Sequence, residues 1–188
     1  MLNPIEAEGG KRRLEAEAAG ILPFEERILA AGYCDAVLPA VLLTADGRRF
    51  IRYDITGYLR FAEYPFRHLD EALGVLYEVP LLLLDAEDCL LRADGFSLSG
   101  ETLFVNAKNR RPGLLYGAQT DGPVGFWAGY ASLLSLSRSF DHITGLPDAV
   151  RRIQERVCLE NPDLRNLLRI VETVRREWHY IHPVTAQM

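Results

Sequence analysis

An aspartate–glycine pair between two runs of strand-forming residues limits the folds open to this chain more than any other feature. Residues 36–44, AVLPAVLLT, are apolar and rich in β-branched and leucine side chains. Asp46 and Gly47 follow, and both adopt positive φ at little cost, which a two-residue hairpin turn requires. The chain then returns over residues 49–55. Phe50, Tyr53 and Ile55 are apolar or aromatic, with Arg52 and Asp54 between them, and Ile51 breaks the strict alternation. Two strands alone are marginally stable in water, so the rest of the chain must supply a third strand or helices to cover them.

The remaining sequence offers both. Residues 68–78 have helical spacing, with Leu69, Ala72, Leu73 and Leu76 on one face. Pro80 is expected to stop this helix at or before Val79. Strand-like pieces follow at 89–92, 95–98, 102–106 and 113–116, separated by glycine and proline turns. The last two read as a second hairpin with a basic turn at 108–111. Residues 121–125 read as a turn, and 126–136 as a buried helix of apolar and small residues. Residues 146–159 read as a charged amphipathic helix that buries Val150, Ile153 and Val157.

The last helix carries the clearest start signal. Asn161 suits the cap, Pro162 the first helical position, and Asp163 the positive helix end. Leu164, Leu167, Leu168, Val171, Val174 and Trp178 form its apolar stripe, and Glu172 and Arg176 are spaced to pair. Residues 1–19 read as a flexible polar lead. Residues 20–183 read as one globular domain with an α+β part at 20–118 and a helical part at 119–183. The fold class is α+β: a small N-terminal antiparallel hairpin sheet plus helices, with a helical C-terminal half.

Composition excludes several function classes. A chain of 188 residues buries a sizeable core without staples. Its net charge of −5 supplies no positive field, and its basic clusters at 11–13, 108–111 and 175–176 are scattered, which argues against nucleic acid as a partner. Cys34, Cys89 and Cys158 are far apart and form no CxxC pair, as expected of a reducing cytoplasm. No apolar run follows the first charges, so no secretory signal is expected. None approaches the ~20 residues of a membrane span.

Sequence motifs for catalysis are missing as well. No nucleophile elbow of the Gly-x-Ser-x-Gly type occurs. Asp85, Glu87, Asp88 and Asp94 lack the alternation and glycine of a calcium loop, and read as loop and cap residues. His179 and His182 are three apart, but only Glu177 adjoins them and Pro183 follows, so an ordinary helix end is expected. His68 reads as an exposed or capping residue. The sequence assigns no catalytic residue, no metal ligand and no cofactor. Trp178, Tyr180 and Ile181 form the candidate partner surface, because Trp and Tyr dominate interface energetics. The alternative is that they pin the last helix to the core.

One resemblance adds to this reading. Gly20 to Phe24 (GILPF) precedes a strand pair ending in Tyr53-Asp54-Ile55-Thr56-Gly57. A helix, the segment LLLLDAEDCLL (81–91) and the hairpin LFVNAKNRRPGLLYG (103–117) follow. Over residues 20–118 this order resembles the uncharacterised N-terminal domain of forkhead-associated proteins of Firmicutes. That domain is in turn similar to the pseudokinase-like cytoplasmic domain of type VII secretion membrane proteins. The resemblance implies a degenerate kinase-like fold. Phosphoryl transfer by a kinase needs a glycine-rich loop, a strand lysine, and catalytic and metal-binding aspartates in their motifs. Here the only lysines are Lys11, in the polar lead, and Lys108, in a hairpin turn; Arg49 or Arg52 could stand in only poorly. The expectation is a non-catalytic interaction or regulatory module of a bacterial cytoplasm, with another protein as its partner. The alternative is a nucleotide-binding protein or enzyme whose site assembles only in three dimensions.

Overall fold

A computed structural model describes residues 3–7, 11–18, 20–118, 125–160 and 162–181. For 3–7, 180 and 181 it describes the backbone path alone. The chain is α+β, with two four-stranded antiparallel sheets and five α-helices among the described residues. It divides into two compact units. The first comprises Met1–Tyr64 and Leu82–Leu133, and the second Pro65–Leu81 and Leu134–Met188. Two of the breaks fall within helices, after Leu81 and after Leu133.

The first unit opens with a correction. The expected polar lead is a pair of strands, β1 (Asn3–Ala7) and β2 (Lys11–Glu17), joined to β3 (Ala40–Ala45) and β4 (Arg48–Asp54) in the order β1-β2-β4-β3. Its Glu- and Ala-rich composition favours helix, but alternation decides otherwise. Leu14 and Ala16 are buried, and they lie opposite the equally buried Tyr53 and Ile51 of β4. Arg13, Glu15 and Arg52 take the other face, where Arg52 Nη2 meets Glu15 Oε2 at 2.7 Å. The expected hairpin is present between β3 and β4. Its turn residues Asp46 and Gly47 have φ of 51° and 72°, as a type I′ turn demands. The first strand is shorter than its apolar run. Residues 36–38 turn aside, and the Leu38 and Leu114 backbones exchange bonds with Leu114 and Ala36 at 3.0 and 2.9 Å.

The helix α1 (Pro23–Ala31) lies between β2 and β3 in the chain. The second sheet follows the order β5-β7-β8-β6, built from β5 (Tyr58–Arg60), β6 (Phe96–Ser97), β7 (Leu103–Asn106) and β8 (Pro112–Tyr116). The expected 102–106/113–116 hairpin is there, and its core strand residues Leu103, Phe104, Val105, Leu114, Leu115 and Tyr116 are all buried.

The helix expected to stop before Pro80 does not stop there. α2 runs over Leu69–Asp88 with Pro80 inside it. A mid-helix proline costs ~3 kcal/mol, whereas each buried leucine or valine side chain contributes ~1.5–3 kcal/mol. Leu76, Val79, Leu82, Leu83 and Ala86 around Pro80 are all buried, so burial outweighs the lost bond. The strand-like reading of 89–92 fails, because Cys89 and Leu90 form the turn after α2 and no strand includes Leu91 or Arg92. α2 ends at Asp88, and the turn after it puts Leu90 at a left-handed φ of 63°, with its N–H bonded to Glu87 O at 2.9 Å.

The second unit is helical. α3 (Phe126–Ser137) leads into it, and α4 (Leu146–Glu160) and α5 (Leu164–Ile181) pack on each other. Leu146, Ala149, Val150 and Ile153 of α4 are buried, as are Leu167, Ile170, Val171 and Val174 of α5. The α5 cap is Asp163, which accepts the Asn166 N–H at 2.8 Å. Pro162 precedes the helix, and Asn161 lies outside the described residues. Among the described residues no helix is long and apolar enough to cross a membrane.

Candidate functional site

A buried carboxylate, Glu25, is held in the first unit by Arg92 and Tyr116, and none of the three was proposed as a site from the sequence. Pro23 starts α1, which sets Glu25 in its first turn, where its carboxylate reaches back to the Leu22 N–H at 2.8 Å. Glu25 is wholly buried. Its Oε1 accepts the Arg92 Nε–H at 2.8 Å and the Tyr116 hydroxyl at 2.5 Å. Arg92 Nη2 also donates to Gly20 O at 2.8 Å, and its backbone N–H donates to the Tyr116 hydroxyl oxygen at 3.3 Å. Tyr116 ends β8, its ring edge-on to Phe96 with centroids 4.9 Å apart. Gly95 lets the ring in, because a Cβ there would overlap it.

Electrostatics follow from this geometry. Burial pushes the Glu25 carboxyl up, but Arg92, the Leu22 N–H and the Tyr116 hydroxyl outweigh it and hold the group below its ordinary value. Burial and the adjacent carboxylate push Tyr116 up to about 12. The bond to Glu25 raises Arg92 further. Each partner thus stays in its ordinary charge state at neutral pH. No buried side-chain nitrogen or oxygen among the described residues lacks a partner. Chemically this cluster is a clasp, joining α1 to β8 and to the segment after α2.

Two open features remain in the same unit. The first is the outer edge of β3. Asp54 N bonds to Pro39 O at 2.8 Å, which sets the alternation of the ladder. Residues 41, 43 and 45 face β4, and the backbone groups of Ala40, Leu42 and Thr44 face outward. No strand pairs with that edge among the described residues, and Val41 is 54% exposed. The second is a cleft of about 430 Å³, whose wall includes Leu38, Ala40, Tyr58, Asn109 and Arg111. Ala40 belongs to both, so the cleft continues the line of the edge.

The sequence-derived residues fare differently. Tyr53-Asp54-Ile55-Thr56-Gly57 links the two sheets. The Tyr53 hydroxyl donates to Tyr116 O at 2.7 Å, and Gly57 O accepts Ala107 N–H at 2.8 Å with its own φ at 80°. Asp54 accepts the Thr56 N–H at 2.9 Å, and bonds from Thr56 hold its carboxyl below the ordinary value. Trp178 sits over Gly145 in the second unit, so closely that a Cβ there would overlap the indole. The side chains of Tyr180 and Ile181, and all of His182, lie outside the described residues. His179 Nε2 meets Asp70 Oδ1 at 2.8 Å. Among the described residues no three His, Cys, Asp or Glu side chains gather to hold a metal.

The groups weighed for phosphoryl transfer are dispersed or engaged. Lys11 begins β2, and Lys108 follows β7 in a turn tied by Asn106 Oδ1. Arg49 pairs with Glu26 of α1, and Arg52 with Glu15 of β2. Comparison with protein-family models and with curated proteins finds no match for the chain.

Proposed function

We propose that the protein is a non-catalytic interaction module, of the degenerate kinase-like kind its sequence resembles, acting in a bacterial cytoplasm. In an active kinase a strand lysine pairs with a helix glutamate and holds the phosphates. Here the two glutamates of the first turn of α1 pair with arginines instead, Glu25 with Arg92 and Glu26 with Arg49. That arrangement supports stability and leaves neither carboxylate to organise a nucleotide.

The observation that carries the interaction reading is the unpaired edge of β3 running into the cleft. Natural edges are blunted with lysine, proline or bulges. Residues 40–45, AVLLTA, contain no charge and no proline. Such an edge accepts an extended segment of a partner through main-chain bonds. The segment is uncharged where it follows β3, and beyond Ala40 it meets the polar groups of Asn109 and Arg111 in the cleft. Arg111 has no ion-pair partner among the described residues.

The test uses the full chain and extended peptides selected from a display library. Hydrogen exchange should show new protection at the Ala40, Leu42 and Thr44 amides on peptide binding. The Thr44→Pro variant keeps the β3–β4 ladder, since that N–H faces outward, and should lose at least tenfold in affinity. Protection confined to other segments, or unchanged affinity in Thr44→Pro, would refute the docking edge. Concentration-dependent protection without peptide would identify a second copy of the chain as the occupant instead.

A further inference from the structure

We propose that Cys34 and Cys89 form a reversible disulfide that clasps the segment after α1 to the end of α2. Fifty-odd residues of sequence separate them, yet the fold sets Cys89 beside the segment that carries Cys34. The Cys89 Sγ also lies 3.9 Å from the carbonyl of Tyr33, the residue directly before Cys34. Neither thiol belongs to the Glu25 clasp, and both are free. Their accessibilities differ in a useful way. Cys34 is 6% exposed and forms part of the cleft wall, while Cys89 is half-buried in the turn that ends α2. Burial, with Cys89 alongside, pushes the Cys34 thiol up and keeps it protonated at neutral pH.

These positions assign the roles. A peroxide meets Cys89 first. The Cys89 sulfur attacks one peroxide oxygen, the O–O bond breaks, and water leaves, giving a sulfenic acid at Cys89. The Cys34 sulfur then attacks the Cys89 sulfur, the S–O bond breaks, and a second water carries away the hydroxyl and the Cys34 proton. Two thiols are oxidised by two electrons, and the peroxide is reduced to two waters. An external dithiol reverses the step by exchange. The bond closes the chain from residue 34 to residue 89, which includes β3, β4, β5 and α2. It requires neither the docking edge nor the absence of catalysis.

The experiment treats the full chain, in a Cys158→Ser background, with hydrogen peroxide, then traps free thiols with an alkylating agent and maps peptides by mass spectrometry. Cys158 is exposed on α4, and its removal leaves only the pair. The expected product is an intramolecular cross-link between the Cys34 and Cys89 peptides, lacking two hydrogens and released by dithiothreitol. The unfolding midpoint should rise by several degrees on oxidation. It should not rise in the Cys34→Ser/Cys158→Ser variant, where a trappable sulfenic acid at Cys89 should accumulate instead. Alkylation of both thiols after peroxide treatment, a cross-link only between molecules, or an unchanged midpoint in the cross-linked form would overturn the proposal.

Discussion

Removing one hydroxyl should reveal how much of the first unit hangs on the Glu25 clasp. In Tyr116→Phe the ring keeps its place against Gly95 and Phe96, but two bonds disappear. One is the 2.5 Å donation to the buried Glu25 carboxylate, and the other the 3.3 Å acceptance from the Arg92 N–H. A hydrogen bond to a charged group contributes ~1.5–3 kcal/mol, and the first of these dominates. For a chain of this length each kcal/mol shifts the midpoint by ~2–4 °C, so a fall of ~3–12 °C is expected. The pH profile separates this cause from a general packing defect. The Tyr116 hydroxyl is raised from 10.0 in the reference state to about 12 in the folded protein. A raised acid contributes stability that is complete below the unfolded value and is lost as pH rises through the folded one. The phenylalanine variant has no such proton. The stability gap between the two proteins should therefore narrow between pH 10 and pH 12. Urea unfolding at a series of pH values measures it. A midpoint change under ~1 °C at neutral pH, or a gap that stays constant with pH, would refute the clasp.

Three further outcomes follow from the geometry. Glu25→Gln loses the charge that Arg92 and the Leu22 N–H satisfy, and should cost ~1.5–3 kcal/mol at neutral pH by denaturant titration. Glu25 and Asp54 are both lowered in the folded state. Their stability is therefore present above the unfolded values of 4.5 and 3.8 and is lost as pH falls through the folded ones. Glu25→Gln should flatten its share of that acid transition, and an unchanged profile would count against it. In the second unit, Gly145→Ala introduces a Cβ into the Trp178 ring at a φ of 82° and should destabilise by ~1–3 kcal/mol with a shift in indole fluorescence; a neutral result would show that Trp178 does not rest there.

Local pattern made some of this structure legible. Asp46-Gly47 announces the first hairpin, because positive φ at both positions is a local demand that few residues meet. The α4 and α5 stripes and the Glu172–Arg176 pair likewise depend on neighbours one turn away. Where the sequence misleads, distant contacts decide. Leu14 and Ala16 lie in helix-favouring surroundings, and only pairing with Tyr53 and Ile51, far along the chain, makes that segment a strand. Pro80 is a local stop signal overridden by the buried side chains on either side of it. The clasp was hidden for the same reason. Glu25 had a legible signal, since it stands three residues after the helix-capping position. Nothing local marks Arg92 or Tyr116 as its partners, 67 and 91 residues away. Trp178 was legible as important, but its seat over Gly145 was not.

The proposed module has Glu25 and Glu26 paired with arginines, which leaves neither to organise a nucleotide. This is tested most directly by thermal unfolding of the full chain with and without millimolar Mg²⁺·ATP, with Mg²⁺ alone and Mg²⁺·GTP as controls. A ligand at ~100 times its dissociation constant adds ~2.7 kcal/mol, which moves the midpoint of a chain this size by ~5–11 °C. The same midpoint is expected in all four samples. A rise of that size with Mg²⁺·ATP and not with the controls would contradict it, and would show that the chain assembles a nucleotide site from groups other than a paired lysine and glutamate.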